Sequence, residues 1–338
     1  MNLNKVLLTI LVFLFLLLVS AGCASTEESQ TVSKTTPTTL AQEATATQTE
    51  IPAKTAAPAF HPTADQGQIL FSVYPYGDIG LINADGSGQI TLLDQPIDQD
   101  IYNDRFAVWL PDGSSISYTI DNFTRAEIWV MDSDGTNPRQ LIQEAASFSS
   151  HTWSPDGNFL AFVSPNHKIL IYSLEEKITL SLTDGSFLSE DEPDWSPNGN
   201  WIVFSGIKDG NQDIFMIHPD GSGLQRVTSH PDNDQHPDWA PDSARIAFSS
   251  TRDGDFIKDI FTIDITHGTE DEGNIARQIT MSDSSEIDPD WSPDGNLIVY
   301  SAHGIGATHA TLFIIDDAGL HHFQLTERNI YNSPKWHP

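Results

Sequence analysis

Glu192, His236 and Asp288 each stand three residues ahead of a tryptophan, at Trp195, Trp239 and Trp291. A carboxylate, an imidazole and a second carboxylate, if brought together, supply oxygen and nitrogen donors for a divalent cation such as Ca, Mn or Zn. The same groups can relay a proton between a substrate and water. Asp191 and Asp234 lie close to two of them, and His151 comes two residues before Trp153. These six are the candidate binding residues, with Glu192, His236 and Asp288 the candidate metal ligands. A plainer reading stands beside it, in which they are solvated charge around a rim. Other chemistries lack their motifs: no Gly-x-Ser-x-Gly elbow, His-Glu-x-x-His pair, Cys-x-x-Cys, phosphate loop or complete EF-hand loop occurs. Asp132-Ser133-Asp134-Gly135 looks like the start of a calcium loop, yet Asp-Gly is also ordinary hairpin-turn chemistry.

What could bring residues so far apart together is a repeat. Trp109, Trp153, Trp195, Trp239, Trp291 and Trp336 recur at steps of 44, 42, 44, 52 and 45 residues. The unit is plain in the fourth copy. Pro193–Ser196 is a short strand, and Pro197-Asn198-Gly199 is a turn in which proline presets φ and glycine accepts a positive one. Trp201–Phe204 and Asp213–Ile217 follow as apolar strands, and after Pro219-Asp220-Gly221 comes a fourth strand, Leu224–Thr228. A four-stranded sheet this small, apolar on both faces, needs a similar sheet against each face. A radial array satisfies all of them, with tryptophan filling the wedge between neighbours. The ends set the count. Ile69–Ser72 begins as a second strand with no tryptophan strand before it, and Asn332–Trp336 is a first strand with nothing after it. The expectation is an all-β, six-bladed β-propeller over residues 67–338, closed by the C-terminal strand completing the first blade, with no unpaired edge at the seam. The positions three before each tryptophan, Phe106, Ser150, Glu192, His236, Asp288 and Ser333, then ring one mouth of the channel.

The phrase Pro-Asp-Trp-Ser-Pro-Asp-Gly, followed by an apolar strand, and later by Asp-Gly and a Leu-Thr or Val-Thr pair, resembles the WD-like repeats of the TolB family propeller. The match is good at Trp153, Trp195, Trp239 and Trp291, and looser at Leu110 and at Ser243, where the turn glycine is missing. Characterised members are periplasmic, carry an α/β domain ahead of the propeller and bind a peptidoglycan-associated lipoprotein. Related propellers precede hydrolase domains or act as manganese-dependent oligogalacturonate lyases. The resemblance therefore implies non-covalent recognition of a protein or cell-envelope glycan. The alternative is a metal-assisted polysaccharide lyase or hydrolase at the channel mouth. Among the residues that enter the rim, Arg105 and Lys335 carry the positive charge a lyase base would need.

Charge narrows the partners. Sixteen Lys and Arg stand against 47 Asp and Glu, a formal −31. Nucleic acid and anionic lipid surfaces require a basic footprint, so neither is an expected ligand of a monomeric, acidic head. The N-terminus reads differently. Lys5 precedes an apolar run, Val6–Val19, and then Ser20-Ala21-Gly22-Cys23. The run suits a signal peptide over residues 1–22 better than a membrane span of about 20 residues. Small residues before the chain's single cysteine resemble a lipobox, with lipid attached at Cys23 and the protein held outside the cytoplasm on the cell membrane or outer membrane of a bacterium. Residues 23–66, rich in Thr, Ala and Pro, read as a disordered tether too polar to offset its ordering entropy.

Overall fold

A computed structural model describes residues 60–73, 78–93, 106–121, 126–145, 150–252, 257–304, 310–327 and 331–338. Contacts divide the chain into Met1–Thr55 and Ala56–Pro338. The signal segment, Cys23 and the tether up to residue 59 lie outside the described residues.

The described strands form six four-stranded antiparallel sheets. Blade four shows the pattern: Ser189–Trp195 is innermost, followed outward by Ile202–Lys208, Asn211–Ile217 and Gln225–Arg226. Blade one consists of Gln68–Val73, Asp78–Asn83 and Ile90–Leu93, with Tyr331–Trp336 as its innermost strand. The closing pairing places Ile69 opposite Trp336 and Leu70 opposite Lys335. The chain thus shuts its own ring at the predicted seam.

The core is not inside the blades but between them. Six apolar clusters each straddle two neighbouring blades, and each contains one repeat tryptophan. Trp195, for example, packs with Ala161 and Ile169 of blade three and Phe204 and Phe215 of its own blade. Trp336 joins Ile69 and Phe71 to Leu312 and Ile314 of blade six. No sheet can bury its faces alone, which is why the repeat is cooperative only as a ring.

Glycines of the outer turns are part of the same seams. Gly135, Gly221 and Gly319 have φ of 84°, 82° and 71°. A Cβ on them would meet the backbone carbonyls of Leu92, Leu182 and Ile279, in the preceding blade, at 2.5, 2.9 and 2.7 Å. Both the left-handed backbone and the close approach exclude a side chain.

Two residues ahead of residue 67 also touch the propeller. Phe60 packs on the cluster between blades six and one, and His61 lies edge-on to Phe323, ring centroids 5.4 Å apart. Two aromatic rings at the end of a polar stretch give it the apolar surface the rest lacks.

Candidate functional site

The innermost strands of blades four, five and six carry a β-bulge between Asp191 and Asp194, Gln235 and Asp238, and Ile287 and Asp290. Glu192, His236 and Asp288 are the bulged residues, with φ of 56°, 53° and 54°, and Ser333 in blade one has φ of 47°. Positive φ is costly for side chains of this kind. Each bulge turns its side chain toward the mouth, and at His236 and Ser333 the freed backbone N–H reaches the preceding blade. The His236 N–H donates to Glu192 Oε2 at 2.6 Å, and the Ser333 N–H to Asp288 Oδ2 at 3.2 Å.

The three side chains do converge. His236 Nε2 lies 3.0 Å from Glu192 Oε1 and 3.4 Å from Asp288 Oδ1, and all three side chains are largely buried. Ser205 Oγ donates to Glu192 Oε2 at 2.8 Å. The imidazole therefore bridges two carboxylates of flanking blades. Among the described residues, no group of three or more His, Cys, Asp or Glu has the geometry to hold a metal ion.

The remaining candidates separate. Asp191 stays at the mouth: its Oδ1 accepts from the Glu192 N–H at 3.0 Å. Burial and the Glu192 charge push its carboxyl up to about 7. Asp234 does not belong to the mouth. It is fully buried five residues before Trp239 and pairs with Arg252, which also binds Glu270, at 2.8 and 2.7 Å. His151 lines the channel but is 2% exposed. Its Nε2 sits 2.7 Å from Ser117 Oγ, and burial pushes the imidazole down to about 3. It is a neutral packing residue between blades two and three.

A second ring lies one position before each tryptophan, reading Val108, Thr152, Asp194, Asp238, Asp290 and Lys335. Asp194, Asp238 and Asp290 accept the backbone N–H of Trp239, Trp291 and Trp336 at 2.8, 3.0 and 2.7 Å. Every one of these bonds runs to the next blade. Lys335 Nζ reaches Asp238 Oδ1 at 3.0 Å and Asp290 Oδ1 at 2.7 Å. Burial would lower its ammonium, but the carboxylates override this and hold it well above its usual range. Burial and the Asp238 charge push Asp194 up to about 7 and Asp290 well above the usual carboxylate range. The C-terminal strand thus brings a cation to Asp238 and Asp290. A cavity of about 200 Å³, lined by the innermost strands of all six blades, joins the two rings.

The structure adds two residues to the mouth. Lys258 is partly buried within electrostatic reach of Glu192 and Asp288, and burial lowers its ammonium while those carboxylates pull the other way. Burial likewise lowers the His303 imidazole, against the pull of Asp288. Lys258 follows the second strand of blade five, in a stretch whose length varies between copies, so the tryptophan register does not index it; His303 lies near the end of the second strand of blade six, at a position where the other copies carry no imidazole. Arg105 lies outside the described residues, and Lys335 is committed to the inner ring.

The family model described as the TolB beta propeller domain matches residues 26–205 and 124–338. The chain belongs to the TolB propeller family. An uncharacterized protein of Agrobacterium fabrum is 29% identical over 199 residues, 56% of this chain and 67% of that protein. The Tol-Pal system protein TolB of Ruthia magnifica is 29% identical over 30% of this chain and 24% of its own length, and a TolB homolog of Chlorobaculum tepidum is 34% identical over 34% and 27%. The chain thus spans about a quarter of each of those two proteins. Among solved structures, TolB from Acinetobacter baumannii superposes with a TM-score of 0.69 at 20% identity, covering 82% of this chain and 68% of that one. An oligogalacturonate lyase in complex with manganese superposes at 0.51 and 15% identity, over 76% and 71%. At these identities, both structural likenesses concern the fold. Within this TolB-family propeller, no helix of the described residues is long and apolar enough to cross a membrane.

Proposed function

We propose that the chain is an extracytoplasmic binding protein, anchored through lipid on Cys23, whose propeller recognises an envelope protein or glycan at the channel mouth. The observation that carries this reading is the set of bulges at Glu192, His236 and Asp288. Positive φ at three non-glycine residues is kept at one end of one channel, where it aims polar side chains into a concave site. Tol-Pal relatives supply the envelope setting. The tether places the head away from the membrane surface.

Two measurements test it. Metabolic labelling with a fatty acid should mark the wild-type chain and not Cys23→Ser; equal labelling rejects the anchor. An envelope extract passed over the full-length protein should yield a partner that Glu192→Gln/Asp288→Asn fails to retain. Equal capture by that variant moves recognition away from the mouth.

A second reading, a polysaccharide lyase or hydrolase, is favoured by Lys258. A partly buried amine made less basic by burial, within electrostatic reach of Glu192, Asp288 and the His303 imidazole, is a fitting proton acceptor. Incubation with uronic-acid polymers, with Mn or Ca added, should then give unsaturated products that Lys258→Met abolishes. No product from the wild type rejects the lyase form of this reading.

A further inference from the structure

The repeat offers its own controls. In blades four, five and six, two aromatic residues face each other across the second and third strands: Phe204 with Phe215, Phe248 with Phe261, and Tyr300 with Phe313. Their ring centroids lie 5.9, 5.9 and 5.8 Å apart at nearly the same tilt. Near each pair, five residues before the blade's tryptophan, is a buried carboxylate: Glu190, Asp234 or Glu286.

What covers the pair differs. In blade four, Phe187 packs edge-on against both rings, and Lys208 lies over Phe187. In blade five, the Arg252 guanidinium lies over both rings, 5.2 and 5.0 Å from their centroids, while bonding to Asp234. Lys208 and Arg252 stand thirteen residues after their tryptophans, and the same position in blade six is Gly304. There a groove of about 560 Å³ opens over Tyr300 and Phe313, rimmed by Met281 and Leu320, which are 83% and 75% exposed.

The carboxylate of this groove is incompletely satisfied. Glu286 is 3% exposed, and its Oε1 accepts from Ser282 Oγ at 2.8 Å. Its Oε2 is buried with no donor placed on it, and Thr280 and a second acid, Asp259, face the same carboxyl. Among the described residues, no Arg or Lys pairs with it. Blade five shows what this arrangement of carboxylate and stacked rings accepts, which is a guanidinium.

We propose that the groove between blades five and six is a docking site for an arginine side chain of a partner protein, with the guanidinium over Tyr300 and Phe313 and bonded to Glu286. The exposed Met281 and Leu320 would flank the arginine's neighbours. The chain's strong negative charge favours approach of such a basic segment. This site is separate from the channel mouth and does not depend on the reading of that mouth.

The test uses the full-length chain with N-acetyl-arginine-methylamide as probe, N-acetyl-norleucine-methylamide as apolar control, and ligand-observed NMR as the readout. Saturable binding of the arginine probe is expected with a dissociation constant on the order of a few millimolar. Glu286→Gln should weaken it roughly tenfold. Gly304→Arg, which supplies the missing guanidinium from within, should block the probe and raise the melting temperature. Because that variant fills the groove instead of emptying it, it decides the matter even if Glu286→Gln fails to fold. The norleucine analogue should not saturate. Absence of saturable arginine binding to the wild type overturns the proposal. So does binding that survives in Gly304→Arg, binding of unchanged affinity in folded Glu286→Gln, or equal binding of the control.

Discussion

Lys335 is the residue on which most of the channel chemistry turns. It arrives on the last strand and meets Asp238 and Asp290, which already hold the backbone of the next blades. Lys335→Met leaves these acids without their cation. About a quarter of the lysine side chain is open to the channel, so the cost should fall at the low end for a buried pair, about 3 kcal/mol. Urea unfolding at pH 7.5 measures it, and Lys335→Met/Asp290→Asn should recover part of the loss.

The same acids set a pH dependence with a definite sign. Asp191, Asp194 and Glu286 keep their protons up to about 7 in the folded chain. In the unfolded chain such groups ionise near 4. Between those values the folded state binds more protons, so stability falls as pH rises. His151 works in the opposite sense. Folded, it stays neutral down to about 3, whereas the unfolded imidazole takes up a proton below about 6.5. The acids outnumber it, and calorimetry should therefore give a higher melting temperature at pH 5.5 than at pH 7.5. A lower one contradicts the burial of these carboxyls. Further acidification, below about 4, should reverse the trend as turn aspartates such as Asp156 and Asp220 lose the hydrogen bonds that lower their carboxyls.

At the scale of elements, the outer turns join blades as much as they reverse the chain. Gly221→Ala would push a methyl against the Leu182 carbonyl in a left-handed backbone, and should cost about 2 kcal/mol by thermal unfolding. Blade five, whose Trp-to-Trp interval is the longest, replaces this turn with the insertion carrying Glu270–Glu272. In the fold it does the glycine's work by other means. The Glu270 N–H donates to the Val227 carbonyl of blade four at 2.9 Å, and its carboxylate bonds to Arg252 and to the Ser229 N–H. Ser243, where the turn glycine is missing, keeps a φ of 56° and accepts from the Asn198 N–H at 3.0 Å. The tryptophan register exposed these irregularities, but their compensations run to a neighbouring blade, which no single copy of the repeat reveals. Asp194, Asp238 and Asp290 illustrate the same limit. They recur at one position of the repeat, but the backbone N–H groups they hold lie in the next blade. Asp234 was grouped with the mouth by proximity along the chain, yet a bulge separates it from His236 and sends it into the seam. Glu192, His236 and Asp288 were legible because they share one register position; Lys258 was not, because it follows the second strand in a stretch of variable length, and His303 was not, because no other copy has an imidazole at its position.

For the whole molecule, six apolar clusters and two rings of polar bonds have one thing in common: each crosses from blade to blade. The ring is therefore the unit of folding, and the channel mouth exists only when it is shut. Tyr331–Trp336 carries the closing pairing, the tryptophan of the last cluster and the cation of the inner ring. The most direct test is differential scanning calorimetry of the chain ended at Ile330, compared with the full-length protein. Closure by the last strand predicts that the shortened chain shows no cooperative transition. A cooperative transition of undiminished enthalpy and temperature in the shortened chain would contradict it.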